Sequence, residues 1–277
     1  MRVGNEFGPI SSPHFFDFTF IISSKNRTFA CELQKSYDER DTFFLLSLAG
    51  AFVLRVCGFG FGVFTMAWLP YLLPSYGEAT TLSGILAMAG SILVAFKNWR
   101  KIDWHKLTPI LITFIVSSCA SIHFVSVADD HLLKRILGVM LIIASLWFLA
   151  ISKHVKVKPT LPVQITMGTI SGVMGGLFAM HGPAAVLYFL ACAKDKDEYV
   201  VLTMTYLLLG NIMMLGFRIH NGFLTPAVGH AFLYGIFAVA IGTWVGSKVF
   251  HRLSTDVVKK ISYAYIAISG VLSLVMS

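Results

Sequence analysis

An all-α bundle of membrane-spanning helices, made of two homologous repeats with an interrupted helix in each half, is the fold that the sequence predicts. Three observations carry that expectation. The 277 residues are 56% hydrophobic and only 13% charged, whereas soluble domains carry about 25% charge. Apolar blocks recur along almost the whole chain, each closed by a short polar patch, and several reach the roughly 20 residues that a helix needs to cross a hydrocarbon core. Glycine and proline interrupt the first and fifth of these blocks. A soluble fold would need one very large apolar interior with almost no polar helix face, and an outer-membrane barrel would show extensive apolar–polar alternation, which is missing.

Residues 1–41 read as a polar N-terminal tail. Their one short apolar stretch, Phe15 to Ile22, is interrupted by Asp17. A basic n-region, a continuous apolar stretch and a cleavage site are all unconvincing, so the tail is expected to stay attached. The first block runs from Thr42 to Leu73 and contains "GAFVLRVCGFGFGVFTMAWLP", with Gly58, Gly60 and Gly62 two apart. Ala79–Phe96, Leu107–Val125 and Leu132–Ile151 read as uninterrupted helices. The fifth block, Leu161–Cys192, contains "GTISGVMGGLFAMHGPAAVLYFL", in which His181, Gly182 and Pro183 break a greasy run. Val200–Phe217, Phe223–Val249 and Ile261–Met276 complete the series, giving roughly seven to ten membrane segments depending on how broken helices are counted.

The formal charge is +8, and its basic residues lie in short loops: Lys97, Arg100, Lys101 and Lys106, then Lys153, Lys156 and Lys158. Nucleic-acid binding would need a contiguous basic face with aromatics to stack on. Short basic loops instead orient a chain against an anionic cytoplasmic leaflet, which places these loops and the tail in the cytoplasm. Lys248, Arg252, Lys259 and Lys260 fall on the other side in a simple eight-span count, consistent with a first and fifth block that are not single straight crossings. Cys31, Cys57, Cys119 and Cys192 are scattered, and neither a zinc site nor a disulfide framework follows from their spacing.

Shifting the chain by 120 residues lays Thr42–Leu73 over Pro162–Ala193, bringing Gly62 onto Gly182, Trp68 onto Tyr188 and Leu82 onto Leu202. Further on, "HLLKRILGVMLIIAS" from His131 lies over "DVVKKISYAYIAISG" from Asp256, with the register slipped by five residues. Two repeats, 42–152 and 161–277, are the reading; self-matching of apolar sequence is the competing one. Paired repeats whose corresponding segments are interrupted point to a transporter's binding site.

Each long block is therefore expected to be a helix, a short break and a second helix. Glycine permits dihedrals closed to other residues, and Pro183 suits the first turn of a new helix. Gly182 is expected to make the turn. Unpaired amides at the second helix would face a cavity and accept an anion, with Gly58, Gly60, Gly62, Gly182 and Pro183 as candidate binding residues. Gly168 and Gly172, four apart, fit close helix packing instead.

Arg55 lies some 20 Å along its helix from Thr42 at about 1.5 Å per residue. An intramembrane arginine tends to face a partner or an ion pathway, and its guanidinium suits an oxyanion; pairing with carbonyls or snorkelling is the alternative. His181 can donate to an oxyanion or take up a proton, or serve as a neutral buried histidine. Asn211 could donate to substrate or bond to a neighbouring helix, and Arg218 enters with it at lower weight. H-E-x-x-H, P-loop and G-x-S-x-G sequences are missing, so no catalytic residue, metal or cofactor is expected, and the chain is not read as an enzyme.

Gly58, Gly60 and Gly62 followed by an apolar run to Pro70, then Glu78, Ala79, Thr80, Thr81 and Leu82, resemble the first half of the TauE/SafE sulfite exporter family. "RKIDW" from Arg100 resembles that family's basic loop. Gly172, Gly175, Gly176, Gly182, Pro183 and "LYFL" from Leu187 resemble its second-half signature, and "GTWVGSKVFHRLSTDVVKKI" from Gly242 its C-terminal pattern. The resemblance covers about residues 42–277. It implies a two-repeat, multi-pass permease of the inner or plasma membrane that exports a small inorganic or organic anion, most often sulfite or an organosulfonate. It also implies homodimerisation.

The sequence departs from the family pattern where Phe59 and Phe61 separate the glycines, at Arg55, and where Met180 and His181 precede Gly182. His181 makes protons the favoured coupling ion. The alternatives are a transporter of another small anion, then a non-transporting membrane scaffold or sensor, then a membrane enzyme.

Overall fold

A computed structural model describes residues 40–56, 60–97, 102–150, 160–194 and 196–250. A unit boundary falls after Thr42, and the fold below is that of the unit beginning at Phe43. Outside the described residues lie most of the tail, Cys31, Cys57, Gly58, the basic stretches 98–101 and 151–159, and everything after Phe250. The block Ile261–Met276 and the repeat match from Asp256 are among these.

Every regular element described is a helix. They are α1 (residues 40–56), α2 (Phe61–Met66), α3 (Leu69–Leu72), α4 (Tyr76–Lys97), α5 (Trp104–Val127), α6 (Asp130–Ala150), α7 (Leu161–Phe178), α8 (Gly182–Cys192), α9 (Lys196–His220) and α10 (Pro226–Phe250). Their starts follow local chemistry. Ser75 and Glu78 form the S-x-x-E pattern of a capping box, with Ser75 Oγ accepting from Glu78 N at 3.2 Å. Asp103 accepts from His105 N at the head of α5, and Asp129 from His131 N at the head of α6. Pro162 and Pro226 sit in first turns, where a missing amide hydrogen costs nothing.

Four described helices are long and apolar enough to cross a membrane: α5, α7, α9 from Glu198, and α10 up to Val249. Large apolar side chains such as Val116, Val127, Phe237 and Trp244 are exposed on them. Polar residues such as Ser118, Ser171, Asn211 and Arg218 are buried inside. This inverted distribution fits hydrocarbon as the solvent, and the protein is an all-α, polytopic membrane bundle.

Both interrupted blocks are broken. α7 ends at Phe178, and Ala179 takes a left-handed conformation, φ 55°. Its N–H donates to Gly175 O at 3.0 Å, and Met180 N–H to Met174 O at 3.3 Å, closing the last turn. The turn therefore falls at Ala179 and not at Gly182, which already belongs to the first turn of α8. In the first block the described part of α1 reaches residue 56, and Gly60, φ 104°, precedes α2. These two breaks touch. A Cβ placed on Gly62 would lie 1.9 Å from Ala179 O, so the backbones meet where only glycine fits.

Small residues also set the long helix contacts. On α7, Gly168 faces Thr113 and Ile110 O of α5, Gly172 faces Ser117 and Phe114 O, and Gly176 faces Ser121 and Ser118 O. On α10, Gly242 faces Leu48 O and Ala51 of α1, and Gly246 faces Phe52 O and Arg55. Small side chains four apart let transmembrane backbones approach closely. A Cβ on Gly168 would sit 1.9 Å from Thr113 Oγ1 and 2.6 Å from Ile110 O. Gly168→Ala is therefore expected to destabilise the bundle by about 1–3 kcal/mol, read as a lowered melting temperature in detergent; an unchanged melt would contradict this packing.

Candidate functional site

Helical periodicity places Asn211 and Arg218, two turns apart, on one face of α9. Both are 2% exposed. Arg218 Nη1 donates to Thr80 O at 2.8 Å and Nη2 to Gly175 O at 3.2 Å, so the guanidinium ties α9 to α4 and α7. Tyr76, Thr80 and Gly84, each four apart, share the face of α4 on that side. The Asn211 and Arg218 side chains pack onto Gly84, where a Cβ would lie 2.7 Å from Arg218 Nη1 and 3.2 Å from Asn211 Oδ1. Tyr76 lies within reach of the Arg218 charge, and its buried hydroxyl has no hydrogen-bond partner.

The break brings His181 to the same place. Its ring stacks on Phe114, with centroids 5.3 Å apart and planes 10° from parallel. Phe114 in turn is flanked by Gly175 and Gly210, neither of which leaves room for a Cβ. The main chain is held as well: Ser171 Oγ donates to His181 O and accepts from Tyr206 OH at 2.8 Å. Asn211 and Arg218 both lie beside the imidazole. No hydrogen bond of ordinary geometry closes between His181 and Asn211, and His181 Nε2 and Asn211 Oδ1 are buried without partners. α8 starts at this point with no side-chain cap on its first amides.

Such a centre is costly unless something completes it. No carboxylate forms an ion pair with Arg218 among the described residues; Lys106 pairs instead with Asp103 and Glu198. A guanidinium in a low-dielectric interior loses several kcal/mol of hydration, on the order of the value for any buried ion, and two neutral carbonyls return only part of it. An oxyanion would supply the missing charge and accept from the remaining guanidinium N–H groups. The positive end of α8 would add to that attraction.

The residues expected from sequence are placed as follows. His181 and Asn211 come together beside Arg218, and Gly182 with Pro183 opens α8 at the same junction. Gly60 and Gly62 form the opposing break, while Gly58 lies outside the described residues. Arg55 lies on α1, beside α10. Its Nε donates to Ser247 Oγ of α10 at 2.8 Å, and its stem faces Gly246. Sequence reasoning gave Arg218 low weight and passed over Tyr76 and Phe114. The spacing of seven between Asn211 and Arg218 was the available signal.

Membrane-length helices with exposed apolar surfaces, surrounding a sealed polar centre where two helix breaks meet, define the architecture of a multi-pass membrane transporter. The Sulfite exporter TauE/SafE family model matches residues 43–273, and the chain belongs to that family. No curated protein and no solved structure matches it. Family membership makes the protein an exporter of small anions such as sulfite, resident in the inner or plasma membrane, and not an enzyme.

Proposed function

We propose that this exporter carries sulfite or an organosulfonate through a site in which Arg218 holds the anion's charge and the start of α8 at His181, Gly182 and Pro183 lies against it. The observation that carries the proposal is a fully buried guanidinium with no carboxylate partner among the described residues. His181 Nε2 and the Tyr76 hydroxyl are the additional donors, Asn211 borders the same space, and Gly60 and Gly62 supply the opposing wall. Arg55, at the α1–α10 contact, is assigned at most a long-range electrostatic contribution. The direct test is saturable sulfite or sulfonate flux in liposomes containing the purified protein. Flux no greater than in empty liposomes, from folded protein, would remove the proposal.

The site is proposed to lie between two repeats, 42–152 and 161–277, each with an interrupted helix. Crossed packing supports this reading: α7 of the second half packs on α5 of the first, as α1 of the first packs on α10 of the second. α4 and α9, which correspond under the 120-residue shift, pack on one another. The proposal extends to a homodimer, measurable by the mass of the detergent-solubilised particle.

Proton coupling is assigned to His181. An anion bound beside the imidazole would stabilise its protonated form, which links proton and anion binding reciprocally. His181→Gln keeps a hydrogen-bonding side chain and removes the titrating imidazole. Its transport is expected to persist at reduced rate with a flattened pH profile. A pH profile identical to that of the unsubstituted protein would assign the histidine to ligand contact or architecture alone.

A further inference from the structure

We infer that α7 and α8 form a re-entrant hairpin, entering and leaving by one face of the bundle, and that Glu198 latches its return arm shut. An anion reaches the His181–Arg218 centre from that face only when the Lys106–Glu198 pair parts. The inference rests on the assignment of the anion to that centre and adds the device that controls access to it.

The course of the hairpin follows from its contacts. α7 runs parallel to α5, because Gly168 meets Ile110 and Thr113, Gly172 meets Phe114 and Ser117, and Gly176 meets Ser118 and Ser121. It therefore sets out from the face where α5 begins. After the turn at Ala179 the chain comes back. Gln164 Nε2, near the start of α7, donates to Tyr188 OH of α8 at 2.6 Å. The Cys192 thiol, at the end of α8, lies within electrostatic reach of Lys106 at the start of α5. The 11 residues of α8 rise only about 16 Å at 1.5 Å per residue, roughly half of a hydrocarbon core, so the tip at His181 stands at membrane depth.

The return arm lies in an apolar socket closed by one carboxylate. Ala185, Tyr188 and Phe189 of α8 share a buried cluster with Leu107 and Ile110 of α5 and Tyr206 of α9. Such contacts have no direction of their own and do not fix the arm against tilting. Glu198 does. Its Oε1 accepts from Lys106 Nζ at 2.6 Å, joining the head of α9 to the head of α5 beside the end of α8. Its Oε2 accepts from Lys194 N, pinning the connection that follows α8. Asp103 Oδ2, 3.6 Å from Lys106 Nζ, steadies the lysine. The paired side chains are 19% and 14% exposed, close enough to water that the ion pair parts at modest cost. The tip moves as one piece with the arm: His181 is the residue that opens α8, and its carbonyl is held by Ser171, itself bonded to Tyr206. Releasing Glu198 frees the far end of α8 to pivot about this tip, opening a route along the arm to His181 and Gly182.

The test is the rate at which N-ethylmaleimide labels Cys192 in the purified full-length protein, read by peptide mass spectrometry, with Cys119 of α5 as internal control. Cys192 is 9% exposed, so its labelling reports opening of the arm. Lys106→Gln and Glu198→Gln are each expected to raise the Cys192 rate about fivefold or more, the weight of a partly exposed ion pair in a local opening equilibrium, and to leave Cys119 unchanged. The two substitutions alter the charge beside the thiol in opposite senses, so acceleration in both reports opening and not thiol chemistry. Equal Cys192 rates in the variants and the unsubstituted protein, or equal acceleration at Cys119, overturn the latch. Ethanesulfonate in excess separates the latch from the site assignment. An anion at the tip favours the closed arm and is expected to slow Cys192 labelling at least about twofold in all three proteins. Faster labelling in the variants with no effect of ethanesulfonate supports the latch and overturns the assignment of a sulfonate to the His181–Arg218 centre.

Discussion

Arg218→Gln is expected to weaken binding of sulfite or a sulfonate by at least about 100-fold while lowering thermal stability little. The loss of affinity follows from removing the one cation at the centre, since a charge-assisted pair in a water-excluded site is worth more than a neutral hydrogen bond. The small change in stability follows from the same chemistry. An uncompensated buried charge is itself a cost, and the glutamine amide can still donate to one of the two carbonyls, Thr80 O or Gly175 O, that Arg218 now serves. A guanidinium acting only as a tie between α4, α7 and α9 would give the reverse pattern, a large drop in melting temperature with affinity unchanged in the folded fraction. Arg55→Gln is the companion measurement, with binding expected to stay within about threefold because its hydrogen bond runs to Ser247 on α10. If Arg55→Gln loses affinity and Arg218→Gln does not, the assignment of the two arginines is inverted.

Gly62→Ala is expected to have the largest effect of any single methyl group added to this bundle, more than about 4 kcal/mol. Its Cβ would fall 1.9 Å from Ala179 O and 2.9 Å from Ala179 C, both main-chain atoms that cannot rotate away. Ala179 is already held in a left-handed conformation that an L-residue adopts at a cost of roughly 1–2 kcal/mol, so the break has little freedom to retreat. The variant should either fail to accumulate or fold with the two breaks separated and transport lost. Gly216→Ala is the control, because nothing lies within 4 Å of its Cβ position; in the body of α9 it should leave the melting temperature unchanged or raise it. A folded, transporting Gly62→Ala protein would mean that the two breaks do not meet in this way.

Much of the architecture was legible because the solvent imposes it. In a bilayer each spanning segment must satisfy its own backbone, so length and apolarity alone announce the helices. Local steric rules announced the breaks too, since Pro183 cannot continue a helix and the glycines of "CGFGFG" and "AMHGP" favour departures from it. The rules were less exact about where each break turns. Gly182 was the expected turn, yet the left-handed residue is Ala179, held against Gly62 from the opposite break. A dihedral that a single residue dislikes can be stabilised by packing from a segment more than a hundred positions away, and no local preference reports that.

The candidate site divides in the same way. Sequence by itself determined the bundle, the family resemblance carried by its motifs, and the two buried polar side chains, His181 and Asn211, that a membrane segment would not carry without reason. It could not rank the two arginines. Arg55 is the only charged side chain of its block, and Arg218 entered only beside Asn211. Only the tertiary structure decided that Arg218 is fully buried against Thr80 O and Gly175 O, with Tyr76 and His181 beside it, while Arg55 bonds to α10. The physical reason is that the cost of a buried charge depends on what surrounds it in three dimensions, and those surroundings come from α4, α7 and the break before α8, segments that only folding brings to α9.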